Sequence, residues 1–159
     1  MSVAIQAPVA KTSNHLALPR AVVSAEMQLT AKQKRLIRKS FLKIEPALNL
    51  VGTLFYLKLF RLDPTLRARF EGPAEMQGRK FAAAMKLTAI SLNHEDGLAP
   101  TLKLLGVRHR QLGIKARHYR TMARALIWTL EQSLEKSFTR ETKHAWTALL
   151  GQLTRIMAA

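Results

Sequence analysis

The sequence contains no cysteine, few acidic residues and no long apolar run, and each absence excludes a class of protein. Without cysteine, the chain can form no disulfide framework, thiolate zinc site or iron–sulfur cluster. Charged or polar residues interrupt every apolar stretch before the roughly 20 residues that a transmembrane helix needs. The start of the chain also lacks the basic segment and unbroken apolar block of a secretory signal, so we expect a cytoplasmic location.

Motifs of hydrolytic chemistry are missing as well. The 5 histidines form no pair with the spacing of an H-E-x-x-H zinc site, and the sequence has neither a glycine-rich phosphate loop nor a G-x-S-x-G turn. The 10 carboxylates are too scattered to suggest an acid–base pair. We therefore expect no conventional hydrolase.

Positive charge, in contrast, is in large excess. The 159 residues include 26 Lys and Arg but 10 Asp and Glu, which gives a net charge of +16. Two interpretations stay open, a solvated surface and a docking surface for an anionic partner such as an acidic protein or a membrane. A nucleic-acid platform is disfavoured because aromatic residues are not interleaved with the cations. The densest basic cluster consists of Lys32, Lys34, Arg35, Arg38, Lys39 and Lys43.

The apolar pattern predicts an all-α protein. Residues 28–159 have helical periodicity throughout, and no stretch shows the alternation of a half-buried strand. Residues 1–27 lack any helical period and are predicted to be a flexible N-terminal extension. With 48% hydrophobic residues, the remainder is long enough to bury the core of one domain with six to seven helices.

Capping residues and prolines predict where these helices lie. Thr30 followed by Gln33 has the spacing of a capping box and predicts a first helix over Ala31–Ile44. Thr139 is the predicted cap of the last helix. Other helices are expected over residues 46–62, 64–69, 74–92, 100–110 and 117–134.

Among the histidines, His109 has a distinctive setting. It lies near the end of a predicted helix and follows the apolar residues Leu104, Leu105 and Val107. An imidazole in such a place needs a partner, and in isolation a hydrogen-bonded structural role is more typical than metal ligation. The wider pattern of motifs favours a ligand instead.

Six motifs occur in a characteristic order along the chain. They are L-F-Y at residues 54–56, L-F-R-L-D-P at 59–64, Q-G-R-K-F at 77–81, L-G-V-R-H at 105–109, H-Y at 118–119 and A-W at 145–146. Together with Phe70, they resemble the globin family over about residues 29–157. The resemblance is to bacterial single-domain globins related to flavohaemoglobins and to the Hell's Gate type. It implies a globin fold that encloses haem b.

The resemblance assigns roles around the haem. It implies that His109 is the proximal ligand of the iron and that Tyr119, ten residues later, braces its imidazole. Phe70 and Phe81 match residues that contact the porphyrin. The remaining candidates for cofactor binding are the cations Lys80 and Arg108, which flank the proposed haem edges, where propionates need positive charge.

Tyr56 and Gln77 match the polar positions on the distal side. Dioxygen held there carries partial negative charge, which a phenol O–H and an amide N–H stabilise, whereas carbon monoxide gains less. The resemblance thus implies reversible oxygen binding for storage, delivery or limited removal of nitric oxide with a separate, acidic reductase. A globin-fold sensor or interaction domain is the alternative.

Three departures from the flavohaemoglobin pattern concern catalysis. The glutamate that braces the proximal histidine in those proteins would fall beyond Ala159, and we expect no flavin domain. Leu150 stands where many relatives carry tyrosine. We therefore expect primarily an oxygen-binding protein, with at most weak nitric oxide dioxygenase or peroxidase activity.

The extension offers a first test. Removal of residues 1–27 should leave the haem absorption spectrum and the oxygen release rate unchanged, because the capping signal at Thr30 begins the folded part after them. Stopped-flow measurement of oxygen release checks this. A large change in that rate would show that the extension covers the pocket.

Overall fold

A computed structural model of the chain describes residues 28–159, without the side chains of residues 95–97. The predicted extension, residues 1–27, lies outside this range. The described part contains six α-helices and no strand, which confirms the all-α prediction. The helices are α1 (Ala31–Ile44), α2 (Leu48–Leu62), α3 (Ala74–Ser91), α4 (Glu95–Gln111), α5 (Ala116–Leu134) and α6 (Arg140–Ala158). Short 3₁₀ helices span Glu45–Ala47, Pro64–Arg69 and Glu135–Ser137.

The predicted caps are present. The Thr30 hydroxyl accepts a hydrogen bond from the Gln33 N–H at 3.1 Å, and the Gln33 side chain accepts one from the Thr30 N–H at 2.9 Å. At the last helix, the Thr139 hydroxyl accepts from the Thr142 N–H at 3.2 Å. Each pair satisfies backbone donors that a helix start leaves open, so α1 and α6 begin where the sequence predicts.

Two predicted helix starts are wrong. α4 begins at Glu95 and carries Pro100 in its interior, whereas the sequence places Pro100 at the start. Proline lacks an N–H and costs one backbone hydrogen bond, and the turn before it can still be helical. α2 begins at Leu48 because Pro46 belongs to the preceding 3₁₀ helix.

Buried side chains from all six helices form one core. Each helix packs on the neighbours that its buried face contacts. α3 packs mainly on α2, while α4 packs mainly on α6. The Trp146 indole N–H donates to the Ser40 hydroxyl at 2.9 Å, which links α6 to α1 inside the core. No helix in residues 28–159 is long and apolar enough to cross a membrane.

Glycines bring two helix pairs unusually close. A Cβ at Gly52 would lie 2.5 Å from the carbonyl oxygen of Gly78, so α2 and α3 touch backbone to backbone. A Cβ at Gly106 would lie 2.2 Å from the carbonyl oxygen of Met157, where α4 crosses α6. Any side chain at Gly52 or Gly106 would force these helices apart.

This geometry predicts opposite effects of one substitution at two glycines. Gly52→Ala should lower the free energy of unfolding by about 1–3 kcal/mol, because the added methyl overpacks a backbone contact. Gly151→Ala in α6, where a Cβ meets no atom within 4 Å, should raise it by about 0.5–1 kcal/mol through helix propensity. Urea unfolding followed by circular dichroism measures both, and equal effects would contradict the close crossing.

Candidate functional site

Aromatic rings from α2, α3 and the loop between them form one wall of the candidate site. The Tyr56 ring centroid lies 5.5 Å from that of Phe70 and 6.5 Å from that of Phe81. Phe55 stacks on Phe81 at 4.8 Å. The three residues predicted to line the haem on this side therefore lie together in the structure.

Tyr56 is the polar group within this wall. Burial raises the pKa of its phenol to about 12, so the hydroxyl stays protonated and remains a donor at neutral pH. This hydroxyl forms no hydrogen bond with another residue of the described chain. It is thus available to a ligand.

Gln77 is buried in the first turn of α3, as the apolar stripe predicts. Its side-chain amide N–H donates to the backbone carbonyl of Glu71, in the turn before the helix. The structure therefore engages this donor locally and does not pair it with Tyr56. A turn carbonyl six residues earlier in the chain leaves no sequence signal, so the prediction missed this contact.

His109 lies in the last turn of α4. Its Nδ1 is 3.3 Å from the Tyr119 hydroxyl of α5. Burial lowers the pKa of the imidazole, which favours the neutral ring. With the proton on Nδ1, the imidazole donates to the Tyr119 oxygen and Nε2 keeps its lone pair. No residue in the described chain bonds to Nε2.

The turn after α4 fixes the helix end that carries His109. Gly113 adopts φ +73°, a left-handed conformation that glycine tolerates, and the helix ends there as predicted. The Ile114 N–H donates to the His109 carbonyl at 2.9 Å. Arg69, at the end of the Pro64–Arg69 helix, donates to the Leu112 carbonyl at 3.2 Å and links this turn to the segment between α2 and α3.

A cavity of about 160 Å³ separates α3 from α4. Two apolar side chains that line it are largely solvent-exposed, Leu87 at 44% and Leu104 at 56%. Exposed leucines that face each other across a cleft favour an apolar ligand between them. Arg108, the residue before His109 on α4, lines this cavity, and an imidazole whose lowered pKa favours the neutral ring is a donor that suits haem iron.

The two predicted propionate partners lie at the surface. Lys80 is exposed on α3, and Arg108 is exposed on α4 at the lining of the α3–α4 cavity. Their roles, like those of Phe70, Phe81 and Tyr119, stay predictions of the resemblance.

Sequence reasoning overlooked Leu98 and Leu102, which also line the α3–α4 cavity. Together with Leu105 they have the i, i+4, i+7 spacing of one helix face. The predicted helix start at Pro100 hid this pattern, because it left Leu98 outside the helix.

The sequence is similar to known proteins of one family. The sequence model of the globin family matches residues 53–157. A flavohemoprotein of Bordetella parapertussis is 27% identical over 106 residues, which cover 65% of this chain and 26% of the relative. One of Vibrio cholerae is 26% identical over 123 residues, covering 76% and 31%. The chain thus spans a quarter to a third of these relatives. Since the family match includes most of the helical region, from α2 to α6, the chain belongs to the globin family.

Proposed function

We propose that this protein holds haem b between α3 and α4 through His109 and binds dioxygen reversibly beside Tyr56. The observation that carries the proposal is the state of His109. Its Nδ1 contacts Tyr119, burial lowers its pKa and so favours the neutral ring, and its Nε2 has no partner in the described chain. Membership of the globin family implies the haem cofactor itself.

In this proposal, different residues of the chain have different roles around the haem. Haem, when bound, supplies the iron at which a diatomic gas such as dioxygen, carbon monoxide or nitric oxide binds. His109 would hold it, and Tyr119 would orient the imidazole through Nδ1. The apolar side chains of α3 and α4 and the rings of Phe70 and Phe81 would exclude water from the pocket.

Tyr56 is the principal distal donor in this proposal. Its hydroxyl is protonated and has no competing bond in the described chain, whereas the Gln77 amide is engaged by Glu71. The amide carries a second N–H that can still donate to a ligand, but the bond to Glu71 restricts how the amide can turn. Selectivity for dioxygen over carbon monoxide would therefore depend more on Tyr56, whose hydroxyl has no other partner in the described chain, than on Gln77.

Limited removal of nitric oxide would need electrons from a separate reductase. The basic cluster on α1 suits an acidic partner, because Arg35 and Lys39 are exposed there. Other members of the cluster also hold the helix in place. Lys32 bonds to Glu141 at 2.9 Å, and Lys43 donates to the Ser137 hydroxyl at 2.7 Å.

Replacement of the proximal histidine tests the cofactor site. His109→Ala should abolish stable haem retention, since it removes the one protein bond to iron in this proposal. His144→Ala, at an exposed position of α6, is the matched control and should keep haem. Haem stoichiometry after gel filtration checks both. Full retention in the His109 variant would overturn the proximal assignment.

Replacement of the distal phenol tests oxygen binding. Tyr56→Phe keeps the ring and removes the donor, so a lost hydrogen bond of about 1.5–3 kcal/mol should speed dioxygen release roughly 10–150-fold. Carbon monoxide release should change much less. Laser photolysis and ligand replacement measure both rates. Equal changes for the two gases would mean that Tyr56 acts through its size and not through its hydroxyl.

A further inference from the structure

An open groove of about 590 Å³ lies between α2, α5 and α6. It shares no lining residue with the cavity between α3 and α4, and Tyr119, whose hydroxyl contacts His109, lies in its wall. Its volume is within the range of roughly 300–1,000 Å³ that small-molecule sites occupy. The family resemblance assigns no role to its central residues, Trp128 and Gly151.

The floor of the groove is apolar. Ile127 and Trp128 of α5 face Leu150 of α6, and all three side chains are only partly buried. Gly151 lies next to Leu150, and a Cβ there would meet no atom within 4 Å. Glycine within a helix weakens it, so its presence here costs stability and leaves the groove open.

Three cations line the same groove, and one acid, Glu131, lies about two helical turns after Arg124 on α5. Arg120 and Arg124 are one helical turn apart on α5 and are exposed. Like charges at this spacing repel each other, and neither guanidinium has an acidic partner in the described chain. Lys58 of α2 adds a third cation, with its Nζ 4.3 Å from the centre of the Trp128 ring. An anion between the two arginines would relieve this repulsion.

An occupant of this groove must combine an apolar body with a negative end. A second copy of the chain fits poorly, because the net charge of +16 makes two copies repel. The N-terminal extension carries Lys11, Arg20 and a single acid, Glu26, so it lacks a strong negative end. We propose that the groove binds a fatty acid, with the carboxylate against Arg120 and Arg124 and the hydrocarbon chain along Trp128.

Titration of the purified full-length protein with palmitate tests this proposal. Isothermal titration calorimetry should give one site with a dissociation constant on the order of 1–100 µM. Trp128 fluorescence should change on binding, whereas Trp146, which is buried in the core, should not respond. Methyl palmitate, which has the same chain without the charge, should bind at least tenfold more weakly.

Two pairs of variants locate the site. Arg120→Gln with Arg124→Gln should weaken palmitate binding about 10–100-fold. The charge-matched control, Lys86→Gln with Lys136→Gln, changes residues outside the groove and should leave it unchanged. Gly151→Leu should fill the groove and abolish binding. Gly151→Ala adds one methyl in open space and should preserve it.

Several results would overturn the proposal. Palmitate affinity that is unchanged in both the double arginine variant and Gly151→Leu would place the ligand elsewhere, for example between α3 and α4. Binding that appears only after removal of residues 1–27 would make the extension the occupant. If the protein forms dimers and Gly151→Leu dissociates them, the occupant of the groove is a second copy of the chain. Absence of palmitate binding would reject the site outright.

Discussion

The close approach of α2 and α3 at Gly52 and Gly78 determines the shape of the aromatic wall that contains Tyr56 and Phe81. Because a Cβ at Gly52 would lie 2.5 Å from the Gly78 carbonyl oxygen, the two helix backbones touch. Tyr56 lies one turn after Gly52, and Phe81 lies one turn after Gly78, so both rings emerge beside the crossing. Their centroids are 6.5 Å apart as a result. A side chain at either glycine would separate the phenol from the wall that keeps it dry.

A second crossing positions the opposite side. Gly106 of α4 meets the Met157 carbonyl of α6, and the Arg110 guanidinium donates to that same carbonyl at 3.3 Å. His109 lies between these two contacts along α4. α3 is therefore anchored on α2, and α4 is anchored on α6, which leaves the exposed leucines of α3 and α4 facing each other across a cleft. The cleft is present because its two walls pack on different helices.

Local sequence signals predicted most of the helices. They could not predict contacts between residues that are far apart in the chain. The caps at Thr30 and Thr139 are encoded within four residues, so the helix starts they predict are confirmed. The helix start predicted at Pro100 is wrong because proline is compatible both with the first residue of a helix and with a position early in the helix. Nothing in the sequence separates Gly52, pressed against a backbone, from Gly151, which faces open space. The partner of Gln77 and the groove around Trp128 depend on tertiary packing in the same way.

Tyr119 connects the two proposed sites. Its ring is 4% exposed and lines the groove, while its hydroxyl contacts Nδ1 of His109. A fatty acid held by the adjacent Arg120 would bring negative charge close to the phenol that orients the imidazole. If the fatty acid changes the affinity for haem, then haem must change the affinity for the fatty acid by the same factor. Tyr119 contacts His109 and also lines the groove, so it is the side chain through which such coupling would act, and linkage makes any coupling reciprocal whatever its size.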